Sequence, residues 1–308
     1  MIDRRTLLTS AAALIALSKP AAAAIDDAPQ LAVTIDDFDL ANTKFAGGLA
    51  RHGNIMITLD RFNIKAAAFP AGKNVDNVSG RAALEVWSNH GHTIGNHTYT
   101  HAYYTGEDPA ATMADIRRAE KVYARQRTYT KLFRFPYLAE GKTPEARDAM
   151  RALLKKNGYR NGHVTIDTSD WYINQRMMKR LADTPNPDLD PYYRYYVDHL
   201  LERATYYDGL ARRVLGRSPP HTLLLHHNLA CSLFLGEALS AFRDKGWRLI
   251  DAATAFADPL YASEPNIAPA GQSLIWALAK ESGKFETELR YPGENDTYEA
   301  PKMDALGL

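Results

Sequence analysis

The chain has 308 residues, of which 45% are hydrophobic and 24% are charged; these values are near the globular average and exclude wholesale disorder, a collagen and a coiled coil. Lysine and arginine number 37 against 36 acidic residues, and this balance, with no basic run, argues against nucleic acid or an anionic membrane as a partner. The single cysteine, Cys231, excludes an intrachain disulfide and a thiolate-built metal site. Any metal chemistry must therefore use histidines and carboxylates.

The first 24 residues have the order of a secretory signal. Arg4-Arg5 is followed by an apolar stretch from Leu7 to Leu17 and by four alanines that end at Ala24. The apolar stretch is too short to span a bilayer. The arginine pair leaves two export routes open, the twin-arginine pathway and the ordinary Sec pathway. We expect an exported protein, periplasmic or secreted, with no stable membrane insertion.

Apolar runs and helical patterns alternate along the rest of the chain. Strands are predicted, in order, at Leu31 to Ile35, Lys65 to Pro70, Gly162 to Ile166, Thr222 to Leu225 and Trp247 to Ile250. Helices are predicted after Asp108-Pro109, from Thr143 to a stop at Gly158, and around residues 273 to 280. The alternation predicts an α/β fold with a parallel sheet, and the length favours a barrel.

Two further segments have a distinct composition. Residues 172 to 220 are polar and rich in tyrosine, which favours a helix with one packed and one wet face; a sugar-stacking platform is the alternative. Residues 259 to 308 are proline-rich and charged, and they predict a C-terminal extension that either packs on the barrel or trails from it.

Asp36 and Asp37 come directly after the first buried strand, at the rim where barrels build their active sites. Two adjacent carboxylates in an apolar setting repel each other unless a cation compensates them. The alternative is an acidic turn or a helix N-cap.

His97 and His101 are four residues apart, a spacing that on a helix puts both imidazoles on one face. A polar helix face is the alternative interpretation. Two histidines and one aspartate would form a three-ligand set that leaves positions open for water and substrate, as a catalytic zinc site requires.

Three other polar blocks follow apolar stretches. They are Arg134-Phe135-Pro136-Tyr137, Asp170-Trp171 and Leu224-Leu225-His226. Each has a plain explanation alone: a surface arginine beside a proline turn, a core tryptophan and a satisfied histidine. Five such blocks at successive strand ends indicate a catalytic rim.

In this order the five blocks resemble the motifs of the NodB-homology polysaccharide deacetylases, carbohydrate esterase family four. The resemblance spans about residues 31 to 256. It implies a single-domain, distorted (β/α) barrel with fewer than eight complete units, over residues 25 to 258. It also implies a hydrolase that acts on carbon–nitrogen bonds other than peptide bonds and removes N-acetyl or O-acetyl groups from a glycan.

The resemblance implies a role for each matching residue. Asp37, His97 and His101 would hold a divalent metal, most often zinc. Asp36 would be the general base, paired with Arg134, and His226 the general acid, oriented by Asp170. The backbone N–H of Tyr137 would help to stabilise the oxyanion, and Trp171 and Leu224 would form walls of the acetyl pocket.

Three positions depart from the family pattern. Phe38 and Leu138 stand where glycine is common, and His227 replaces an acidic residue. We expect Phe38 and Leu138 to reshape the substrate cleft, so no familiar polymer is assumed as the substrate. Asp167 lies close enough to Asp170 to take the motif-four role instead. The alternative functions are hydrolysis of a non-sugar acylated amine and non-catalytic glycan binding.

Overall fold

The computed structural model describes residues 28–40 and 45–308, so the predicted export signal lies outside the described residues. The strands are β1 Gln30–Asp37, β2 Ala67–Pro70, β3 Thr93–Asn96, β4 Tyr129–Phe133, β5 Ala139–Gly141, β6 Arg160–Asn161, β7 Pro220–His226, β8 Arg248–Leu249 and β9 Ala270–Gly271. The helices are α1 Gly48–Phe62, α2 Gly72–Val75, α3 Val78–Asn89, α4 Pro109–Tyr123, α5 Pro144–Lys156, α6 Asp170–Asp183, α7 Asp190–Leu215, α8 Leu229–Asp244, α9 Ala252–Ala255, α10 Leu274–Ser282 and α11 Asp296–Ala305. Two short 3-10 turns lie at Pro136–Leu138 and Pro259–Ala262.

Within the described residues, a curved parallel sheet of seven strands forms the centre of the fold. Its order is β6-β4-β3-β2-β1-β7, and β8 also pairs with β1. Strand β1 is buried on both faces, as expected for an apolar run in a parallel sheet. After β6 the chain continues to Ile166, which bridges to Leu223 of β7. The segment from 160 to 166 therefore pairs with β4 at its start and with β7 at its end. The predicted α/β barrel-like architecture in a single domain is confirmed.

Local sequence signals account for where the helices begin. The Asp108 carboxylate accepts a hydrogen bond of 2.8 Å from the Ala111 N–H, and Pro109 occupies the first turn of α4. Thr143 caps α5 in the same way, and Asn228 caps α8 immediately after the end of β7. This last cap makes the chain turn directly after His226, which leaves the histidine at the rim.

The tyrosine-rich segment forms two helices, α6 and α7, as the helical interpretation predicted. On α7, Tyr192, Tyr196 and Tyr207 are buried, whereas Tyr193 and Tyr206 are half-buried. None of the described helices is both long enough and apolar enough to cross a membrane.

The C-terminal extension packs on the barrel. Helix α10 lies against α7, and β9 pairs with β5 in a small antiparallel sheet. Glu299 of α11 is fully buried and accepts a hydrogen bond of 2.5 Å from the Tyr195 hydroxyl on α7. Of the two arrangements left open by the sequence, the packed one is present, and it brings residues 269 to 295 to the carboxyl ends of the strands.

Candidate active site

The carboxyl ends of the parallel strands form the floor of a cleft of about 560 Å³. Asp36 and Asp37 end β1, and His226 ends the neighbouring β7 in direct register with Asp36. His97 follows β3, and Arg134 follows β4. The five sequence blocks therefore meet at one edge of the sheet, because parallel strands bring their carboxyl ends together.

Asp37, His97 and His101 form a cluster with the donor set of a divalent metal site. One ligand atom of each lies within 4.8 Å of the others. The Asp37 Oδ1 atom is 3.1 Å from His101 Nε2 and 3.7 Å from His97 Nε2. That oxygen is buried and has no hydrogen-bond partner among the described residues, as expected for an atom that coordinates an ion. The residues therefore fit such a group.

The two histidines do not lie on a helix. They belong to an irregular loop after β3, in which Thr98 and His101 have φ angles of 64° and 57°. This left-handed backbone, rather than a helical face, turns both rings toward Asp37. The helical placement considered from their spacing is therefore wrong, although the proximity it implied is present.

Hydrogen bonding and burial prepare the cluster for a cation. His97 Nδ1 donates to the Arg134 carbonyl at 2.8 Å, which leaves Nε2 free to coordinate. Burial lowers the pKa of His97 to about 4, so its imidazole is neutral near pH 7. Burial alone would raise the pKa of Asp37, but the nearby histidines lower it below its ordinary value, so Asp37 is ionised.

Asp36 is held by a buried ion pair with Arg134. Arg134 Nη1 donates to Asp36 Oδ1 at 2.6 Å and to Thr34 Oγ1 at 2.9 Å. Its Nε donates to the Gly162 carbonyl, and its guanidinium lies 4.0 Å from the centre of the Phe69 ring. The second oxygen of Asp36 lies 3.7 Å from His97 Nε2. One oxygen is therefore fixed, and the other is directed toward the histidine cluster.

His226 is oriented by Asp170, the first residue of α6. Its Nδ1 is 2.7 Å from Asp170 Oδ1, and Asp170 Oδ2 accepts from the His226 N–H and from Asn228 Nδ2. Burial would lower the pKa of His226, but the charge and hydrogen bond of Asp170 outweigh it and raise the pKa to about 10. Because Nδ1 faces Asp170, Nε2 is the nitrogen left to act in the cleft. Asp170, not Asp167, makes this contact.

Trp171, Leu224 and Leu138, which were predicted to shape the cleft, line it, and so does Tyr137. The Tyr137 ring lies 4.9 Å from the His101 ring. The oxyanion role of its N–H stays a prediction.

The prediction that Phe38 shapes the cleft is wrong. Its ring is fully buried and does not line the cleft; it lies 5.1 Å from the Trp87 ring and 4.9 Å from the His227 ring. Its φ angle is 51° and that of Leu138 is 51°. Both positions therefore lie in the left-handed region, where glycine has no steric cost and a larger residue does, which explains why a glycine would suit them.

Sequence reasoning missed one wall of the cleft. Besides Asp167, the residues that line it without having been assigned a role are Tyr103, Phe135, Ala139, Thr168, Pro269, Ala270, Gln272, Tyr291, Pro292, Glu294 and Asn295. Most belong to the C-terminal extension. The only local signal was the run Tyr291 to Asn295, whose mixture of aromatic, turn-forming and polar residues resembles a binding loop.

Comparison with protein families gives a match to the polysaccharide deacetylase family over residues 25–162. That stretch contains the first three motif blocks, so the predicted resemblance is confirmed. No curated protein matches the chain.

Solved structures similar to this one include a polysaccharide deacetylase from Bacillus cereus, with a TM-score of 0.53 and 19% identity, covering 72% of this chain and 91% of that one. A peptidoglycan deacetylase from Bacillus subtilis has a TM-score of 0.50 and 18% identity, covering 75% of this chain and 92% of that one. A carbohydrate esterase family four pseudoenzyme from Bacillus anthracis has a TM-score of 0.52 and 17% identity, covering 75% of this chain and 66% of that one. These likenesses establish the fold.

Proposed function

Because residues 25–162 match the polysaccharide deacetylase family, whose members are hydrolases of non-peptide carbon–nitrogen bonds, we propose that the protein removes acetyl groups from an acetylated glycan in a metal-dependent reaction. One observation carries the proposal. A candidate metal-ligand cluster, a carboxylate held by an arginine and a histidine held by a carboxylate all line the same cleft. A divalent metal, for which we propose zinc, would be held by Asp37, His97 and His101 and would supply Lewis acidity to polarise the acetyl carbonyl.

The protein side chains would move the protons. Asp36, kept in place by Arg134, accepts a proton from the water that attacks the carbonyl carbon. His226, kept protonated by Asp170, donates a proton to the leaving nitrogen or oxygen as its single bond to the carbonyl carbon breaks. The products are acetate and a free amine or hydroxyl. Each positioned proton-transfer group typically contributes a factor of about 10² to 10⁴ in rate.

The test is acetate release from a panel of acetylated amino sugars and acetylated xylan, with zinc or cobalt supplied and with chelator-treated protein as the reference. His97→Ala and His101→Ala should lose metal and activity together. His226→Ala and Asp36→Asn should keep the metal and lose about 10²-fold or more in turnover. No acetate from any substrate by the metal-loaded protein would contradict the proposal and favour non-catalytic glycan binding. Turnover of small acylated amines without any glycan turnover would favour a non-sugar substrate.

We also propose that the protein is exported and acts outside the cytoplasm. The support is the charged, apolar and small-residue order of residues 1 to 24. Fractionation of expressing cells, followed by N-terminal sequencing of the processed protein, tests this. Replacing Arg4-Arg5 by lysines would block a twin-arginine route and leave a Sec route working.

A further inference from the structure

Two carboxyl groups outside the catalytic set face the same cleft. Asp167 lies on the loop before α6, and Glu294 lies on the segment before α11. They are 7% and 8% exposed, and both line the cleft together with His226. Neither lies in the stretch of sequence that matches the family, so the family assignment gives them no role.

Glu294 is held firmly, but only through one of its oxygens. Its Oε1 atom accepts from Arg203 Nη2 at 2.6 Å and from the Tyr207 hydroxyl at 3.3 Å, both on α7. Its Oε2 atom is buried and has no hydrogen-bond partner among the described residues. A buried carboxylate oxygen without a donor is unfavourable in a folded protein. A ligand in the cleft that donates a hydrogen bond would remove this cost.

Asp167 adds a second group of the same kind. Its Oδ1 atom accepts from the Thr168 N–H at 2.8 Å. Burial raises the pKa of both carboxyl groups, and the charge of Asp167 adds to the rise at Glu294. Near neutral pH the pair can therefore offer a protonated oxygen that donates and a charged oxygen that accepts. Sugar hydroxyls both donate and accept, whereas an ammonium group only donates.

Two exposed aromatic rings line the same cleft as the two carboxyl groups. Tyr291, three residues before Glu294, is 54% exposed, and Trp171, next to Asp170, is 39% exposed. Both line the cleft. The Tyr291 ring is supported by Trp276, with ring centres 5.8 Å apart. Aromatic faces with a few fixed polar groups are typical of sites that bind amphipathic ligands such as sugar rings.

We propose that Asp167, Glu294 and Tyr291 form a second saccharide subsite, which binds the hydroxyl groups of the sugar unit adjoining the acetylated one. The inference rests on the proposed deacetylase function, because it assumes a glycan in the cleft. It makes the C-terminal extension part of the substrate-binding surface.

The test measures binding of the N-acetylglucosamine tetramer to zinc-loaded Asp36→Asn protein by calorimetry. Adding Asp167→Asn or Glu294→Gln should weaken binding roughly 10- to 100-fold, the usual effect of losing a hydrogen bond to a charged group. Adding Tyr291→Ala should weaken it several-fold to about tenfold. Glu288→Gln is the matched control: Glu288 lies in the same extension, pairs with Arg213 at the surface and is outside the cleft. It should leave the Kd unchanged.

Folding is checked separately by thermal unfolding. Glu294→Gln leaves Arg203 with a neutral partner and could unfold the protein, but Tyr291 is exposed, so Tyr291→Ala and Asp167→Asn keep the test decisive. Equal Kd values in all folded variants, or no binding of the tetramer, would overturn the subsite. Tighter, salt-sensitive binding of the fully deacetylated tetramer would overturn the hydroxyl assignment.

Acetate release by the unaltered protein distinguishes the two proposals. Acetate release together with unchanged Kd values would reject the subsite alone. Tetramer binding that depends on Asp167 without any acetate release would reject the deacetylase function and leave the subsite standing.

Discussion

The buried ion pair between Arg134 and Asp36 leads to a quantitative stability prediction. The side chains are 1% and 3% exposed, and Nη1 and Oδ1 are 2.6 Å apart. Arg134→Met leaves the Asp36 carboxylate in the interior without this cation, which typically costs about 3–5 kcal/mol in unfolding free energy. Asp36→Asn keeps an acceptor but removes the charge, so it should cost about 1.5–3 kcal/mol. The double variant has neither charge. We therefore expect it to lose about 2–3 kcal/mol less unfolding free energy than the sum of the two single losses.

The measurement is a double-mutant cycle by urea unfolding at pH 7 on chelator-treated protein, so that a bound metal does not compensate Asp36. Arg213→Met is a control, since its ion pair with Glu288 is exposed and should contribute less than about 1 kcal/mol. Effects of Arg134→Met and Asp36→Asn that add to within about 0.5 kcal/mol would refute the reasoning, because they would show that the two groups do not interact energetically.

Three further predictions concern His226, Glu299 and Gly271. Asp170→Asn should lower the pKa of His226 from about 10 toward 6.5 or below, which NMR titration measures. It should also reduce turnover at least about 10²-fold. An unchanged pKa of His226 would contradict its pairing with Asp170. Burial alone would raise the pKa of Glu299, but its hydrogen-bond partners on α7 lower that pKa from 4.5 to about 2. The ionised Glu299 therefore contributes about 3 kcal/mol to the unfolding free energy above pH ~4.5, and this contribution is lost as the pH falls toward 2. The urea unfolding curves of Glu299→Gln and of the unaltered protein should therefore converge near pH ~2. Gly271→Ala should lower Tm by several degrees and weaken glycan binding, because the added Cβ would lie 1.8 Å from the Leu138 carbonyl oxygen; an unchanged Tm would show that β5 and β9 can separate freely.

Much of the fold could be predicted because its signals are local. The run from Leu31 to Ile35 is a continuous apolar stretch, as parallel strands buried on both faces require, and Asp108-Pro109 is a complete helix start. The gathering of Asp36, Asp37 and His226 at one rim follows from parallel topology, once their strands are known.

The C-terminal wall could not be predicted, because its contacts connect distant parts of the chain. Glu294 meets Arg203 and Tyr207 across 91 and 87 residues, and no periodic pattern indicates such a pairing. The loop that holds His97 and His101 could not be predicted either, since left-handed φ angles at non-glycine residues leave no trace in hydrophobic spacing. Phe38 was placed in the cleft for a related reason: its direction depends on a left-handed turn that its residue type does not indicate.

These left-handed residues have a consequence for how the protein loses activity. Asp37, Phe38, His101, Tyr137 and Leu138 all have φ angles between 51° and 75°, and each such residue costs about 1–2 kcal/mol relative to an ordinary backbone conformation. Together the cost is comparable with the whole net stability of a typical domain, about 5–15 kcal/mol. The backbone at the catalytic edge is therefore strained, and the sheet beneath it holds it in this conformation. We therefore expect partial loosening of the sheet to release this edge first, so that activity is lost at a lower temperature or denaturant concentration than that of global unfolding.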